Sequence, residues 1–542
     1  MISLIEDCIY QVLQWLKEDR ETLFNCLFVN SFFCKNFVPL LYSNPFGQEL
    51  KYINEYFLIS TFLKCLDAEE KNYLRQVNIN LTDENEITLF EYETYLEKLS
   101  INDLTDTIRI WLMFLINDDE VFVGDKTSRY SRQFGTRSID DKETKLMVQA
   151  TLFHMFTRKS RKIKSLEIKP IIFNSKFLNK RFFNEISRNL STLKDLKLCL
   201  FTGYFEKIRE PSLLEFLNTI AKNCTYITEL GVIIDEKFDN CKFHSYIINI
   251  INNQKKLLKF TLSEPRYIGS NIVLNIVLSL ESQRDSLKSI QLDFVHLCHD
   301  HISVLANCSN LKNLRLYYCG GMTLDHCNLI LDKSVCKVEK LTMTRNRWSK
   351  DITASIISTL GRSLKRLSFD QISSETLESI ISYCPNLKVL EVQFGKFDYL
   401  LLKRMNIDHL IIHPIFDLSL DFKELLQDLG SSLPITIKHF TFITHNSLSS
   451  DNLKTFLSNI NSCLVSLNFY FEMNNDLLNI IMNYTLEKRS LKFLGIKKLI
   501  PLESTMYFLD DELINNIRNL GVKIFFLEKN YESDDEFYNL VA

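Results

Sequence analysis

A short apolar motif recurs along most of the chain. Its spacing is apolar-x-x-apolar-x-apolar, so it ends in the alternation of apolar and polar positions that is typical of a half-buried strand. The motif begins at residues 163, 193, 227, 257, 287, 311, 338, 364, 387, 407, 437, 464 and 491, and a related VKIFFL segment begins at 522. Twelve steps cover the residues from 163 to 491, which gives a mean period of about 27 residues. Individual steps range from 20 to 34 residues, which indicates divergent repeats.

Between these motifs, apolar residues recur at the three- and four-residue spacing of a helix. Examples fall at 213–220, 377–381 and 453–460. A unit of one strand and one helix buries its apolar faces only by stacking on neighbouring units, and the period lies in the range of leucine-rich repeats. The pattern therefore predicts an α/β solenoid, a curved leucine-rich-repeat array with a parallel sheet on the concave side and helices on the convex side.

Several of the 14 cysteines hold fixed places in the repeat. Cys224, Cys308 and Cys384 each stand three residues before a motif, and Cys319 follows a strand pattern as L-x-L-x-x-C. This arrangement resembles the cysteine-containing class of leucine-rich repeats, in which a small, mildly apolar side chain suits a packed turn. No C-x-x-C pair occurs, which argues against a zinc ribbon or a thioredoxin-like site. We therefore predict that most of these cysteines are reduced and structural.

The first 46 residues follow a different pattern, that of short amphipathic helices. One helical stripe runs from Leu4 to Leu16, and a second runs from Leu23 to Leu41 with Pro39 inside it. A block of this size holds little core of its own. We therefore expect a compact helical module that offers an apolar face to a partner.

The same residues carry a family resemblance, since residues 3–46 resemble an F-box. The segments concerned are Leu4-Ile5-Glu6-Asp7-Cys8-Ile9 for the family's opening Leu-Pro-x-x-[IL], Val12-Leu13-Gln14-Trp15-Leu16 for [IV]-[LF]-x-x-Leu, and Cys26, Val29 and Phe33 for Cys-x-x-Val-x-x-x-[WF]. Ile5 stands where the family has proline, and Tyr42 where it has a closing tryptophan. With the repeats, the chain resembles F-box/leucine-rich-repeat proteins.

That resemblance implies a substrate-recognition adaptor of an SCF-type cullin–RING ubiquitin ligase. The F-box would dock a SKP-family adaptor, and through it a cullin, while the repeats would bind a target protein. The residues expected to contact the adaptor are Leu4, Ile5, Ile9, Leu13, Leu16, Cys26, Val29 and Phe33. The alternative is a leucine-rich-repeat interaction scaffold that does not join a ubiquitin ligase, with N-terminal helices that only cap the array.

Target contacts are expected on the outward strand positions of the central repeats. Because strand side chains alternate, positions three, five and seven of the motif point away from the core. The candidate residues are Asn313, Arg315, Tyr317, Lys340, Thr342, Arg366 and Ser368. Arginine pairs well with carboxylate and phosphate, so an acidic or phosphorylated segment fits this surface. A solvated face without a partner is the other interpretation.

Composition excludes several classes of function. Apolar residues make up 46% of the chain and charged residues 24%, which is typical of a globular protein. The net charge of −3 gives no overall basic field, and no apolar run is long enough to span a membrane, so we expect neither nucleic-acid nor membrane binding. The N-terminus shows no secretory pattern, which predicts a cytoplasmic or nuclear protein.

No catalytic motif or phosphate-binding glycine loop occurs, and Gly and Pro number only 13 and 9. We therefore expect no enzyme activity of its own and no cofactor. The segment HLCHDHISVLANC at 296–308 invites a metal site, but four converging ligands are not evident and Cys308 already has a place in the repeat, so we expect no metal.

The chain divides into four predicted segments. These are the F-box-like module at 1–46, a helical linker with irregular capping repeats at 47–160, the solenoid at 161–527 and an acidic tail at 528–542. The polar stretch 117–141 is the best candidate for a mobile loop. A basic run at 158–164 is either a solvated helix end or, less commonly, a nuclear localisation signal or an anion contact.

Overall fold

The structure is a computed structural model, and it describes most of the chain. The described residues are 11, 15, 16, 19–47, 52–76, 79, 88–117, 140–174, 178–200, 210–234, 241–264, 271–333, 337–394, 399–414, 422–444, 448–497 and 509–527. The expected loop at 117–141 lies almost wholly outside them, as does the predicted tail at 528–542. The chain forms two compact units, residues 1–287 and residues 288–542.

The first unit contains ten described helices and five strands. Its helices are α1 (Arg20–Cys26), α2 (Ser31–Leu41), α3 (Tyr52–Lys64), α4 (Ala68–Arg75), α5 (Ile101–Asn117), α6 (Asp140–Lys159), α7 (Lys180–Leu190), α8 (Glu210–Asn223), α9 (Cys241–Asn252) and α10 (Asn271–Ser279). Its strands are β1 (Lys98–Ser100), β2 (Ser165–Ile168), β3 (Asp195–Leu200), β4 (Glu229–Ile234) and β5 (Lys259–Ser263). They pair in parallel and in chain order.

The second unit repeats this strand–helix alternation. Its described strands are β6 (Ser289–Asp293), β7 (Asn313–Tyr317), β8 (Lys340–Thr344), β9 (Arg366–Gln371), β10 (Val389–Phe394), β11 (His409–Pro414), β12 (His439–Phe442), β13 (Ser466–Phe469), β14 (Phe493–Lys497) and β15 (Lys523–Leu527). Its described helices are α11 (His299–Asn307), α12 (Leu324–Lys333), α13 (Lys350–Leu360), α14 (Ser374–Tyr383), α15 (Phe422–Ser432), α16 (Ser450–Ser458), α17 (Asn475–Lys488) and α18 (Asp511–Asn519). Neighbouring strands are again parallel.

The predicted α/β solenoid of leucine-rich repeats is confirmed in each unit. Every sequence motif forms a strand, and its apolar positions are buried, as Leu196 and Leu198 of β3 illustrate with no exposed surface. Successive helices pack on one another beside the sheet. Neighbouring strands lie about 4.8 Å apart and packed helices about 8–10 Å apart, so each array curves with its strands on the concave side.

Within each unit, a repeated pair of backbone hydrogen bonds links neighbouring repeats. The carbonyl of Lys164, just before β2, accepts hydrogen bonds from the amides of Lys194 (2.8 Å) and Asp195 (2.9 Å) at the start of β3. The same pattern begins further upstream, where the Ser43 carbonyl accepts from the Glu97 and Lys98 amides at 2.8 and 2.9 Å. This hydrogen-bond pattern therefore begins at the end of the N-terminal helical segment, before the first sequence motif at residue 163.

The cysteines occupy the packed turns, in agreement with their predicted structural role. The Cys224 thiol donates to the Leu190 carbonyl (3.1 Å), and the Cys319 thiol donates to the Leu292 carbonyl (3.2 Å). Burial raises the pKa of both thiols to about 12, so neither is a ready nucleophile at neutral pH. The Asn346 side chain also stabilises the turn at Cys319, because its Oδ1 accepts a hydrogen bond from the Cys319 amide at 2.7 Å.

Candidate functional site

The N-terminal helices form a module with a small core of its own. Leu23 of α1 and Phe37 of α2 are each 1% exposed and lie at its centre. Both helices are capped, because the Asp19 side chain accepts from the Thr22 amide and the Asn30 side chain from the Phe33 amide. The partly buried residues packed on this core are Leu16, Cys26, Leu27, Phe33, Leu40 and Leu41.

Large apolar side chains remain exposed on the same module. They are Trp15 (89% exposed), Phe24 (53%), Phe28 (75%), Val29 (61%) and Phe32 (39%), and together they are called the N-terminal apolar surface. The rings of Phe24 and Phe28 contact each other edge to face at 5.3 Å. Exposed apolar side chains concentrated in one short segment are typical of a protein-binding site.

The expected adaptor contacts are divided between these two environments. Leu4, Ile5, Ile9 and Leu13 lie outside the described residues. Leu16, Cys26 and Phe33 are half-buried against the module's core, while Val29 belongs to the N-terminal apolar surface. Sequence reasoning missed Trp15, Phe24, Phe28 and Phe32. The four-residue spacing of the three phenylalanines was an available signal of an exposed apolar stripe, although in the structure they belong to α1, to the turn after it and to α2.

The C-terminal end of the module, at Tyr42 and Phe46, packs against the rest of the first unit. Tyr42 lies 4.4 Å from the ring of Tyr92 and 5.8 Å from that of Phe62, and Phe46 contacts Phe62 and Phe156. Burial, followed by the nearby phenol of Tyr92, raises the pKa of Tyr42 to about 12. These contacts anchor the module through residues other than the N-terminal apolar surface.

In the second unit, the structure aligns the expected target-binding residues in columns. Asn313 of β7 is level with Lys340 of β8, which is level with Arg366 of β9. Arg315, Thr342 and Ser368 form the adjoining column, and Tyr317 stands level with Thr344.

This surface is less cationic than the sequence suggests. The Arg366 guanidinium lies 3.1 Å from a Glu391 carboxylate oxygen, and Arg315 Nε lies 3.8 Å from Asp293. Ser368 is 3% exposed, so its hydroxyl is not available to a partner in this conformation. Two of the expected target-binding arginines therefore already have carboxylate neighbours, and binding of a target by this surface stays a prediction.

A further group of side chains lies just beyond the ends of strands β6 to β8. Phe294, Tyr318 and Arg345 are the residues that follow these strands, and all three have positive φ angles, of 61°, 51° and 56°. The Phe294 and Tyr318 rings are stacked, with centroids 5.0 Å apart and planes 7° apart, and the Arg345 guanidinium lies 5.6 Å from the Tyr318 centroid. These three residues are called the aromatic–arginine stack.

The basic run at the end of α6 has internal partners. Arg158 Nη2 lies 2.6 Å from Asp67 and 2.9 Å from the buried Glu70, and Lys159 lies 3.2 Å from Glu93. Lys164 pairs with Glu97 as well. The expectation of a solvated helix end was wrong for Arg158 and Lys159, which tie α6 to α4 and to the segment before β1, whereas Arg161 and Lys162 of the same run are exposed.

The histidine–cysteine segment shows local hydrogen bonding. Cys298 Sγ lies 3.2 Å from His301 Nδ1, and the Cys308 thiol donates to the Val304 carbonyl at 3.3 Å. Within the described residues, no group of three His, Cys, Asp or Glu side chains is arranged to hold a metal ion. None of the described helices is both long enough and apolar enough to cross a bilayer.

Comparison with known proteins finds similarity in fold alone. No protein-family model and no curated protein matches the sequence. A chain of the yeast Rad7 and Elc1 complex is 12% identical, with 70% of this chain and 84% of that chain covered and a TM-score of 0.35. The leucine-rich-repeat-containing protein LegL7 from Legionella pneumophila is 14% identical, with 56% and 93% covered and a TM-score of 0.35. A chain of the TLR13–ssRNA13 complex is 13% identical, with 69% and 46% covered and a TM-score of 0.31.

Proposed function

We propose that this protein is a non-catalytic substrate-recognition adaptor of an SCF-type cullin–RING ubiquitin ligase, at work in the cytoplasm or nucleus. The N-terminal apolar surface docks a SKP-family adaptor, which joins it to the cullin, and the repeats bind the target protein. The observation that carries this proposal is the set of five exposed apolar side chains on a helical module that already has its own core and caps.

The energetics support a docking role for that surface. Burying a large apolar side chain contributes roughly 1.5–3 kcal/mol, and a few aromatic residues usually dominate an interface. Trp15 and Phe28 are 89% and 75% exposed, so nearly all of this gain is available to a partner. Folding of the module does not use it, because Leu23 and Phe37 form the core.

In this role the protein acts by proximity. Holding a target beside a ubiquitin-loaded enzyme raises the effective concentration of its lysines without any chemistry by the adaptor.

A second candidate function has its own supporting observation. The Ser43 carbonyl and the Tyr42 ring join the end of the module to the first repeats, which is how a cap of a solenoid behaves. On that basis the chain is a leucine-rich-repeat interaction scaffold that does not enter a ligase, and the module only closes the array.

Co-purification with a SKP-family adaptor distinguishes the ligase-adaptor function from the scaffold function. The full chain and its Phe28→Asp and Val29→Asp variants are each co-expressed with the adaptor, with Ile435→Asp as the control. Ile435 is 86% exposed and belongs to the second unit, so it is a matched apolar-to-aspartate substitution at a residue outside the module. We expect Phe28→Asp to weaken binding about thirtyfold, the equivalent of about 2 kcal/mol, and the control to bind like the parent. Absence of parental binding, or full binding by both aspartate variants, would favour the scaffold.

A further inference from the structure

Three adjacent repeats place a bulky residue in backbone geometry that favours glycine. Four non-glycine residues have positive φ among the described residues, and three of them are Phe294, Tyr318 and Arg345. Each follows the last residue of its strand, so the feature recurs at one equivalent position. Such strain persists only where the surroundings impose it, and it is concentrated at binding and switch sites.

The strained backbone brings these side chains together at one end of the sheet. The Phe294 and Tyr318 rings stack, and the Tyr317 ring stands nearly perpendicular to both, at 5.7 and 5.0 Å. The Arg345 guanidinium lies over this group, 5.9 Å from Tyr317 and 5.6 Å from Tyr318. Packing against two rings restricts the arginine, which lowers the entropy lost when it binds.

Arg345 also retains an available charge. Its side chain is exposed, and its polar contact among described residues is to the Tyr318 hydroxyl at 3.5 Å. Asp370 accepts a hydrogen bond from the Arg345 backbone amide, and no carboxylate of a described residue lies within ion-pairing distance of the guanidinium. Asp370 is close enough to interact electrostatically with the Arg345 guanidinium, but Arg315 and Arg366 lie closer to their carboxylates, at 3.8 Å from Asp293 and 3.1 Å from Glu391.

We propose that the aromatic–arginine stack binds an Asp or Glu side chain of a target protein segment, with an adjacent apolar side chain resting on Phe294 and Tyr318. Calling the bound segment a target rests on the proposed function. The planar guanidinium donates two parallel hydrogen bonds to a carboxylate. Asp293 and Asp370 lie near the stack and repel a doubly charged phosphate more than a singly charged carboxylate, so the site favours acidic over phosphorylated segments.

Selection from a displayed library of random nine-residue peptides tests this inference. The purified full-length chain is the bait, and a second arm uses a library with phosphoserine at the central position. We expect selected peptides to be at least threefold enriched in Asp and Glu beside an aromatic or aliphatic residue. A synthesised lead peptide should bind Arg345→Gln at least tenfold more weakly than the parent.

Two variants keep the result interpretable. Arg345→Lys keeps the charge and should retain part of the affinity, whereas Arg362→Gln removes another exposed arginine and should bind like the parent. Selection without acidic enrichment, preference for the phosphoserine arm, or equal binding by Arg345→Gln would overturn the inference. Adaptor co-purification is measured separately, so loss of ligase assembly and loss of acidic recognition are distinguishable.

Discussion

The Arg366 guanidinium and the Glu391 carboxylate form an ion pair of 3.1 Å between strands β9 and β10. Their side chains are only 16% and 11% exposed, so water screens the pair weakly. Arg366 is therefore part of the array's own structure, which changes what a substitution there measures.

Arg366→Ala should destabilise the second unit by about 3 kcal/mol, because it leaves the mostly buried Glu391 carboxylate without its arginine partner. The double variant Arg366→Met, Glu391→Leu should recover most of this loss, since it removes both charges. Urea unfolding of the parent, both single variants and the double variant measures the coupling. If the changes in unfolding free energy of the two single variants add up to that of the double variant, the ion pair contributes nothing to stability.

Glu55 should make the first unit more stable as the pH falls from 7 towards 4.5. It is 9% exposed on α3, and burial, followed by the charge of Asp106, raises its pKa to about 7. The folded state therefore holds the proton more tightly than the unfolded chain, and this advantage is lost as the pH rises through 7. Glu55→Gln should raise the thermal midpoint at pH 8 by the equivalent of roughly 2 kcal/mol and do little at pH 4.5. An identical rise at both pH values would contradict this assignment.

Glu70 should have the opposite effect on the pH dependence of stability, because it should make the first unit less stable in acid. Burial opposes its ionisation, but hydrogen bonds from His154, the Asp67 amide and Arg158 together lower its pKa below the usual value of 4.5. A carboxylate with a lowered pKa stabilises the fold above pH 4.5, and that stability is lost as the pH falls through the lowered value. Glu70→Gln should cost about 2 kcal/mol at pH 7, since it breaks the contact with Arg158, and the cost should shrink in acid. Acid titration followed by circular dichroism tests this, and a cost that does not depend on pH would count against it.

Arg345→Gly should separate stability from binding. Glycine adopts positive φ without a steric penalty, so the change should leave the second unit as stable as the parent or up to about 1 kcal/mol more stable. The same change removes the guanidinium that we propose binds acidic segments. Thermal unfolding and peptide binding are measured on one preparation. Marked destabilisation would mean that the contacts of the Arg345 side chain stabilise the fold by more than the positive φ costs.

The solenoid was predictable from sequence because its strands repeat one apolar pattern. Strand β1 was missed, since its three residues contain a single buried apolar side chain, Leu99, and no motif. The aromatic–arginine stack was missed for a different reason. Strict alternation assigns the residue after an outward Tyr317 to the core side, but a positive φ at Tyr318 redirects the chain.

The helical character of the N-terminal module was predictable, but the stripe from Leu23 to Leu41 is divided into the two helices α1 and α2, and the exposed surface was not predicted. The family pattern selects residues such as Phe33 and Cys26, which help to form the module's own core. The exposed residues Phe24, on α1, and Phe28, in the turn after it, point away from that core, and a pattern of apolar spacing cannot tell which residues face solvent. That choice depends on how α1 and α2 pack.

The double hydrogen bond to the Ser43 carbonyl also affects how the array frays. In a solenoid each repeat is held only by its neighbours, so the first repeat opens most readily and its opening is local. Because the Glu97 and Lys98 amides bond to the end of the helical module, their deuterium uptake reports whether that module is docked. A partner that stiffens α1 and α2 would therefore slow exchange at β1, more than fifty residues along the chain, without touching that strand.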